Sequence, residues 1–407
     1  MNRVAITGIG AVTPLGNDFR TSWTGVKQGF QGVGRLNRLD TSGLPWTLAG
    51  EIKGFIPELF LNPKEIIRLD PFIQYAAAAA SMAIADAGLI ETMLSNAGVI
   101  VGSSRGGITA LEKEMRKMLF KNAKPSVSPY LMPSSTISMA ASFIAQKNSI
   151  KGECIGISNA CASGANAIGE AFRRIKHGYS KIVLAGGTEA PLCRLCFEGY
   201  GVSGALSKGS DNLASKPFDK NRDGFVLAEG ACIVVLEEYE AARQRGARIY
   251  AEVSGYSAIN DAFHITKPDV DGEASAIKQA LSDAGIHKEY IGHVNAHGTS
   301  TVLGDLSESK AINAVFGPKI PVTALKSMTG HMLAASGAFE SACTAMSLYE
   351  GVIPATVNVK GQDALCSINL TTRLAKSDSE FAVSNSFGFG GVNAVLVFKK
   401  TIGSYIL

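Results

Sequence analysis

The sequence predicts an α/β protein from the arrangement of its apolar residues. Short apolar runs alternate with segments of helical periodicity over the 407 residues. The composition, 46% hydrophobic and 18% charged, is that of a folded chain and excludes general disorder. The 44 glycines are about 11% of the chain, above the usual 7% or so, which predicts tight turns or close backbone approaches.

The predicted elements follow from the length and periodicity of the apolar runs. Short runs of three to six residues predict strands at 4–7, 99–101, 154–158, 182–185, 231–236, 250–255, 294–296, 322–325, 381–384 and 394–398. Longer periodic segments predict helices at 71–87, 107–119, 135–146, 164–176, 239–245, 274–284, 305–315 and 336–350. The length of the chain alone is enough for two or three domain-sized units.

Two segments of the chain echo each other. ISNACASGANAIGEAFRRI reads as a strand, a sharp turn and a small-residue helix, and TALKSMTGHMLAASGAFESACTAMSLY repeats that plan about 170 residues later. No low-complexity linker lies between them. An internal duplication would explain both facts, with halves at 1–248 and 249–407, although ordinary α/β alternation also produces such an echo.

Charge, cysteine content and hydropathy narrow the compartment and the partners. The net charge of +4 is small and argues against a nucleic-acid-binding protein. The longest apolar stretch, Ala76 to Ala85, is too short to span a membrane, and the N-terminus lacks the pattern of a signal peptide. Seven scattered cysteines fit reduced thiols better than a disulfide framework. We therefore expect a cytoplasmic protein with no membrane span.

Three local motifs resemble ligand sites but are incomplete. Asp219 to Gly224 begins like a calcium-binding EF loop, but its twelfth position is Gly230 where a bidentate glutamate is needed, so we expect a structural turn. Cys193 and Cys196 form a CxxC without two further zinc ligands nearby. The glycines of TGIGAVT follow a strand, but the third glycine of a dinucleotide fingerprint is replaced by Thr13.

A serine-hydrolase motif needs closer attention. Residues 102–106, GSSRG, match GxSxG between a predicted strand and helix, the context of a nucleophile elbow around Ser104. Asp305 and His331 follow in the order that such a triad requires. No HGGG-type oxyanion segment precedes the motif, and GxSxG arises readily in a glycine-rich chain. A Ser104 hydrolase is therefore an alternative and not the main interpretation.

A cysteine and two histidines form the stronger constellation. Cys161, in NACASG, follows a predicted strand at the start of a helix, where the helix dipole predicts a lowered thiol pKa. His297, in NAHGTST, and His331, in KSMTGH, each follow a predicted strand beside a glycine. Open α/β sheets place their ligands at such strand ends. The glycine-rich SNSFGFGG offers backbone N–H groups of the kind that an oxyanion hole requires.

These segments, taken together, resemble a known family. VAITGIGAVTPLG, AGEIKGF, DPFIQYA, ACASG, PFDKNRDGF, NAHGTST, KSMTGH and SNSFGFGG, in this order, are similar to the type II β-ketoacyl-acyl-carrier-protein synthases of fatty-acid synthesis. The match covers essentially the whole chain. It implies a thiolase-like fold, with two similar halves in a five-layered αβαβα arrangement, and a homodimer. Thiolases are less similar, because they carry a second cysteine in the C-terminal glycine-rich motif and SNSFGFGGVNA has none.

The resemblance also implies a role for each site residue. Cys161 is implied as the nucleophile that takes an acyl group, with malonyl-acyl-carrier-protein as the second substrate. The pair His297 and His331 is implied to bind the malonyl thioester and promote its decarboxylation through neutral imidazole donors. The other implied residues are Lys326 with Glu340, the N–H groups of Cys161 and Phe389 as the oxyanion hole, Phe387 in support, and Thr299 and Thr301 at the pantetheine arm. No metal or cofactor is implied, because the phosphopantetheine arrives on the acyl carrier protein.

The chain departs from the family pattern at positions implied to affect the substrate and the carrier. Arg105 stands at the acyl pocket, where the family usually has an apolar residue, and an unpaired cation is costly to bury. Lys64 and Arg68 are retained for carrier docking, but Ile67 and Gly204 stand where basic residues are common. Leu325 and Val392 replace threonines. The departures suggest a specialised synthase for short or unusual acyl chains, whereas a catalytically silent partner subunit is disfavoured because Cys161 and both histidines are present.

Overall fold

The computed structural model describes residues 1–120 and 127–401 as a mixed α/β fold. Its strands are β1 (Val4–Val12), β2 (Val33–Arg35), β3 (Leu48–Gly50), β4 (Gly98–Gly102), β5 (Cys154–Ile157), β6 (Ile182–Glu189), β7 (Gly230–Glu238), β8 (Ala251–Asn260), β9 (Ile291–Asn295), β10 (Pro321–Thr323), β11 (Val352–Ile353), β12 (Asn369–Leu370), β13 (Ala375–Lys376), β14 (Phe381–Gly388) and β15 (Val392–Lys399).

The helices differ widely in length. They are α1 (Phe19–Gln28), α2 (Pro63–Arg68), α3 (Pro71–Ala87), α4 (Glu91–Leu94), α5 (Ile108–Phe120), α6 (Leu131–Ser135), α7 (Met139–Lys147), α8 (Ser163–Lys176), α9 (Arg194–Val202), α10 (Tyr239–Gln244), α11 (Val270–Ala284), α12 (Val302–Phe316), α13 (Lys326–Thr329) and α14 (Ala334–Glu350). None of the helices in the described ranges is long and apolar enough to cross a membrane.

Eleven strands form one continuous sheet that repeats its own topology. From the centre outward, the first half runs β1-β7-β6-β4-β5, with two antiparallel pairings followed by two parallel ones. The second half runs β8-β15-β14-β9-β10 with the same sequence of directions, and β12 extends its edge. An antiparallel pairing of β1 with β8 joins the halves. This repeated order favours duplication over simple alternation.

Helices form the remaining layers. α3 and α7 pack on the outer face of the first half, and α11 packs on the outer face of the second, with α12 against it. α8 and α14 lie between the halves, since each contacts strands of both, and most of their residues are buried. The arrangement has the predicted five layers and confirms the α/β fold class.

Glycines permit the close contacts between these layers. A Cβ on Gly10 of β1 would lie 2.0 Å from the carbonyl oxygen of Ala79 in α3. A Cβ on Gly164 of α8 would lie 2.2 Å from the carbonyl oxygen of Ala334 in α14. The TGIG sequence therefore serves helix–sheet packing and not nucleotide binding.

All ten predicted strands and all eight predicted helices are present; the ends of α3 are as predicted, and most of the other elements have corrected ends. The helix predicted at 135–146 begins at Met139, because α6 and a turn occupy the preceding residues. The strand predicted at 322–325 ends at Thr323, where the chain turns into α13. The helices α1, α2, α4, α6, α9 and α13 and the short strands β2, β3, β11, β12 and β13 were not predicted.

Candidate active site

The nucleophile candidate lies in a strained turn between β5 and α8. Ala160 has a φ of 47°, in the left-handed region, and therefore turns the chain sharply immediately before Cys161. Ser163 fixes this turn, since its Oγ donates to the carbonyl oxygen of Ala160 at 2.6 Å and accepts from the N–H of Asn159 at 2.8 Å. Cys161 is consequently held at the entrance to α8.

His331 directly contacts this cysteine. Its Nε2 lies 3.0 Å from Cys161 Sγ, and its Nδ1 lies 3.3 Å from Ser336 Oγ. Ser336 Oγ already accepts from the N–H of Met332 at 2.9 Å, so its own hydrogen is free to be donated to Nδ1. With Ser336 Oγ donating to Nδ1, the ring proton lies on Nε2, which faces the sulfur.

His297 is held in the same tautomer by different groups. The Nζ of Lys326, a donor without an acceptor site, lies 3.3 Å from His297 Nδ1 and 2.5 Å from its carbonyl oxygen. Nδ1 must then accept, which leaves the proton on Nε2. Glu308 fixes the backbone by accepting from the N–H of His297 and of Gly298, each at 2.7 Å.

Both imidazoles are neutral at physiological pH. Burial lowers the pKa of His297 well below its usual range, and the Lys326 ammonium and His331 lower it further. Burial and the same ammonium lower the pKa of His331 in the same direction. The two rings are nearly perpendicular, with centroids 5.4 Å apart. Two neutral N–H donors beside a thiol can stabilise a negative oxygen that develops on a bound thioester.

Lys326 and Glu340 form a buried ion pair behind the histidines. The lysine Nζ lies 2.7 and 2.9 Å from the two carboxylate oxygens, and both side chains are only 1% exposed. Burial raises the pKa of Glu340 to about 7, although the adjacent ammonium opposes that rise. The ammonium of this pair lies beside His297 and helps to lower the pKa of that histidine.

The predicted lowering of the Cys161 pKa is wrong. Burial raises the pKa of this thiol to about 11, and the opposing charges of Lys326 and Arg105 do not offset it. Position at a helix start is a local feature, whereas desolvation depends on the tertiary surroundings, and here desolvation dominates. The resting thiol is protonated at neutral pH.

A cavity of about 360 Å³ connects these groups to the surface. It is lined by most of the predicted site residues, namely Cys161, His297, Thr299, Thr301, His331, Phe387 and Phe389. The Phe387 ring centroid lies 6.1 Å from that of His297. A Cβ on Gly388 would lie 3.3 Å from the backbone nitrogen of Cys161, so the glycine-rich turn reaches the nucleophile. Thr299 and Thr301 share a 3.0 Å hydrogen bond.

Three of the residues predicted for recognition, Arg105, Lys64 and Arg68, do not line this cavity. The Nε of Arg105 donates to the hydroxyl of Tyr200 at 2.9 Å, and Tyr200, not Arg105, lines the cavity. Lys64 and Arg68 are exposed on α2, and the guanidinium of Arg68 lies 4.4 Å above the ring of Tyr130.

The alternative motifs have structural roles. Ser104 Oγ donates a hydrogen bond to the buried carboxylate of Glu189, whereas His331 contacts Cys161. The hydrolase triad is therefore not assembled. The Asp219 carboxylate accepts three backbone N–H groups, of Asn221, Lys360 and Gly361, and ties the predicted turn together. Both thiols of the CxxC are buried, and they form no disulfide.

The sequence did not reveal several residues that build the site. Glu308, Ser336 and Tyr200 carry no motif, because their partners come from other elements. Ligand atoms of Cys161, His297 and His331 lie within 4.8 Å of one another and could reach a metal ion. The Lys326 ammonium beside His297 disfavours a second cation there.

A half-buried thiol with two neutral histidine donors, in a five-layered fold whose halves repeat one strand order, defines a thiolase-like site for thioester chemistry. The N-terminal domain model of the β-ketoacyl synthases matches residues 1–242, and the C-terminal domain model matches residues 250–360. The chain belongs to the β-ketoacyl synthase family.

Individual proteins agree with this assignment. The chain is 41% identical to 3-oxoacyl-[acyl-carrier-protein] synthase 2 of Synechocystis sp. and 40% identical to that of Vibrio cholerae, with 98% of this chain and at least 98% of each relative covered. A β-ketoacyl synthase from Burkholderia phymatum superposes with a TM-score of 0.93 at 34% identity, covering 99% of this chain and all of that one. A type II polyketide ketosynthase solved with its acyl carrier protein superposes with a TM-score of 0.89 at 33% identity, covering 98% of this chain and all of that one.

Proposed function

We propose that this chain catalyses the decarboxylative condensation of an acyl thioester on Cys161 with malonyl-acyl-carrier-protein in fatty-acid chain elongation. The products are β-ketoacyl-acyl-carrier-protein and CO2. The observation that carries the proposal is the 3.0 Å contact between Cys161 Sγ and His331 Nε2, with a second neutral imidazole beside it.

The first half-reaction loads the enzyme. Cys161 sulfur attacks the acyl carbonyl carbon, the bond from that carbon to the pantetheine sulfur breaks, and the thiol proton finally resides on the departing sulfur. Because the resting thiol is protonated, the transition state needs stabilisation of the forming sulfur anion, and the Lys326 charge lowers its cost. The N–H groups of Cys161 and Phe389 are proposed as donors to the tetrahedral oxygen.

The second half-reaction forms the carbon–carbon bond. The malonyl carboxylate leaves as CO2, and the electron pair of the broken bond passes into the thioester, whose oxygen accepts from the Nε2–H groups of His297 and His331. The resulting enolate carbon attacks the acyl carbonyl carbon, the bond from that carbon to the Cys161 sulfur breaks, and the Cys161 thiolate takes up one proton from solvent. An imidazolium would transfer its extra proton to the enolate and so destroy the nucleophile. The pKa values of His297 and His331 are lowered, so both rings are neutral, and a neutral N–H donor stabilises the enolate without protonating it.

The acyl carrier protein is the proposed partner and brings its own phosphopantetheine, so no resident cofactor is needed. Thr299 and Thr301 line the cavity and are proposed to contact that arm, with Lys64 and Arg68 as carrier-docking residues. Carrier binding is supported by the relatives' activity and by the similar ketosynthase solved with a carrier.

A homodimer is proposed on the strength of an exposed apolar strip. Met115 and Met118 are each 55% exposed, and Leu119 is 72% exposed, on α5. Patches of this kind commonly mark protein interfaces.

A cytoplasmic location is proposed because all seven cysteines are free thiols. We also propose halves at 1–248 and 249–407, supported by the start of β8 at Ala251 and by the separate family models.

A narrower substrate range is the second candidate. The hydrogen bond from Arg105 places a cation directly behind Tyr200, which lines the cavity with Cys161, and the resemblance implies that Arg105 borders the acyl chain. Such a pair favours short or polar acyl groups over long apolar ones. Loading Cys161 from C4 to C16 acyl carriers tests this idea, and efficient loading of C14–C16 chains would reject it.

Intact-mass analysis tests the main proposal. Incubation with carrier protein that is loaded with an acyl group should add the mass of one acyl group to the wild-type chain and to Ser104→Ala, but not to Cys161→Ala. Subsequent malonyl-carrier should discharge that acyl group with release of CO2. Acylation that survives in Cys161→Ala and is lost in Ser104→Ala would instead establish the hydrolase.

A further inference from the structure

Two buried polar side chains of the catalytic cavity lining, called here the polar recess, are not used by the proposed chemistry. Glu273, in the first turn of α11, and Asn393, near the start of β15, both line the cavity, although each is only 2% exposed. α11 packs against β15, and Asn393 is the cross-strand partner of Phe387, whose ring faces His297. The recess is therefore adjacent to the reacting groups.

Both side chains have unused hydrogen-bonding capacity. The Nδ2 of Asn393 is buried and has no partner among the described residues, although a buried amide nitrogen without a partner is costly. Among the described residues, the Glu273 carboxyl has one hydrogen-bond partner, Ser307 Oγ, which donates to Oε2 at 3.0 Å. Oε1 remains for a group in the cavity.

The surrounding charges determine what Glu273 can offer. Burial raises the pKa of Glu273 well above its usual range, and the carboxylates of Glu308, Asp261 and Asp269 raise it further. A protonated carboxyl that accepts from Ser307 at Oε2 presents an O–H donor at Oε1. The same acidic neighbours repel an anion, and Lys267, the lysine that lines the cavity, is exposed and not within the recess.

We propose that Glu273 and Asn393 form a two-donor subsite that binds an uncharged carbonyl oxygen of the substrate. The inference rests on the proposed condensing activity and adds two binding residues to it. The carbonyl can come from an amide of the pantetheine arm or from an oxygenated acyl chain, since both present the same acceptor. A donor pair of this type positions the substrate without taking part in bond making.

Steady-state kinetics with malonyl-carrier and an acyl-carrier tests the subsite. Glu273→Leu and Asn393→Ala should each raise the KM for the acyl-carrier between about threefold and tenfold, as expected for the loss of one neutral hydrogen bond, with kcat within twofold of the wild-type value. Glu273→Gln keeps an uncharged donor and should restore KM to within twofold. Glu289→Leu, at an exposed position outside the cavity, is the matched control and should change neither constant.

Two acyl donors separate the sources of the carbonyl. An equal KM effect with acetyl-carrier and acetoacetyl-carrier identifies the pantetheine arm, whereas an effect confined to acetoacetyl-carrier identifies the acyl chain. An unchanged KM in Glu273→Leu with both donors, or equal damage in Glu273→Gln and Glu273→Leu, would overturn the subsite. Failure of the wild-type chain to acylate Cys161 would overturn the proposed function itself, and this is measured before any variant is compared.

Discussion

Arg222 offers a sharp test of how the cavity wall is held. Its side chain is 2% exposed, and its guanidinium donates to the carbonyl oxygens of Thr301, Val302 and Asp219 and to the carboxylate of Asp363. Asp305 lies 3.6 Å from its Nε and itself accepts from the N–H groups of Phe218 and Ser300. One planar cation thus joins the segment that contains Thr301 to two other loops.

Arg222→Met should destabilise the fold by about 3–5 kcal/mol, the usual cost of removing one partner of a buried ion pair. Burial has already raised the pKa of Asp305 to about 7, against the opposing charge of Arg222. Below that pH Asp305 is largely neutral and loses little when the arginine is removed, whereas at pH 8 it must take up a proton or stay unpaired. The loss should therefore be larger at pH 8 than at pH 6.

Urea unfolding at both pH values measures this effect, with Arg243→Met as the control because the Arg243 side chain is 62% exposed on α10. The control should change stability by less than about 0.5 kcal/mol. Since the released carbonyls flank the cavity, KM for malonyl-carrier should rise together with the instability. A loss below about 1 kcal/mol, or one independent of pH, would refute the assignment of Arg222 as the organising cation.

Three other substitutions test the fold and the nucleophile turn. Burial lowers the pKa of His293 to about 4, below its value of about 6.5 in the unfolded chain. The contribution of His293 to stability is therefore complete above about pH 6.5 and is lost as the pH falls toward 4. His293→Leu should flatten this part of a plot of urea midpoint against pH, and an unchanged slope would contradict the assignment. Gly164→Ala should destabilise by more than about 2 kcal/mol and slow iodoacetamide alkylation of Cys161, whereas Gly199→Ala, with open space around its Cβ, should do neither. Ala160→Gly should stabilise the chain or leave its stability unchanged, because glycine removes the strain of about 1 kcal/mol that a left-handed alanine carries. Ala160→Val should unfold at a lower urea concentration than the wild type. The opposite order of stability would show that the turn is not strained.

The elements that were predicted with correct ends carry their own local signals. α3 starts after Asp70, whose side chain accepts from the N–H of Phe72, continues through Pro71 at the first position and stops at Gly88 with a φ of 64°. α9 has no such signals. Its sequence contains two glycines and lacks a side-chain cap, and Gly201 packs so closely on Trp46 that a Cβ would lie 2.3 Å from that ring. Tertiary contact maintains α9, so periodicity could not reveal it.

The same division between local and tertiary causes explains the site. Cys161, His297 and His331 were identified because each stands in a short turn motif after a strand, and the sheet then brings those turns to one cavity. Glu308, eleven residues beyond His297, holds the backbone of that histidine across a helix–strand junction and leaves no comparable trace in the sequence. The error in the Cys161 pKa has the same origin, because the helix start is visible in the sequence and the burial is not. In the proposed mechanism, a thiol that stays protonated until a thioester enters the cavity is protected from unwanted chemistry, and the Lys326 ammonium and the imidazole donors would stabilise charge only as the reaction develops it.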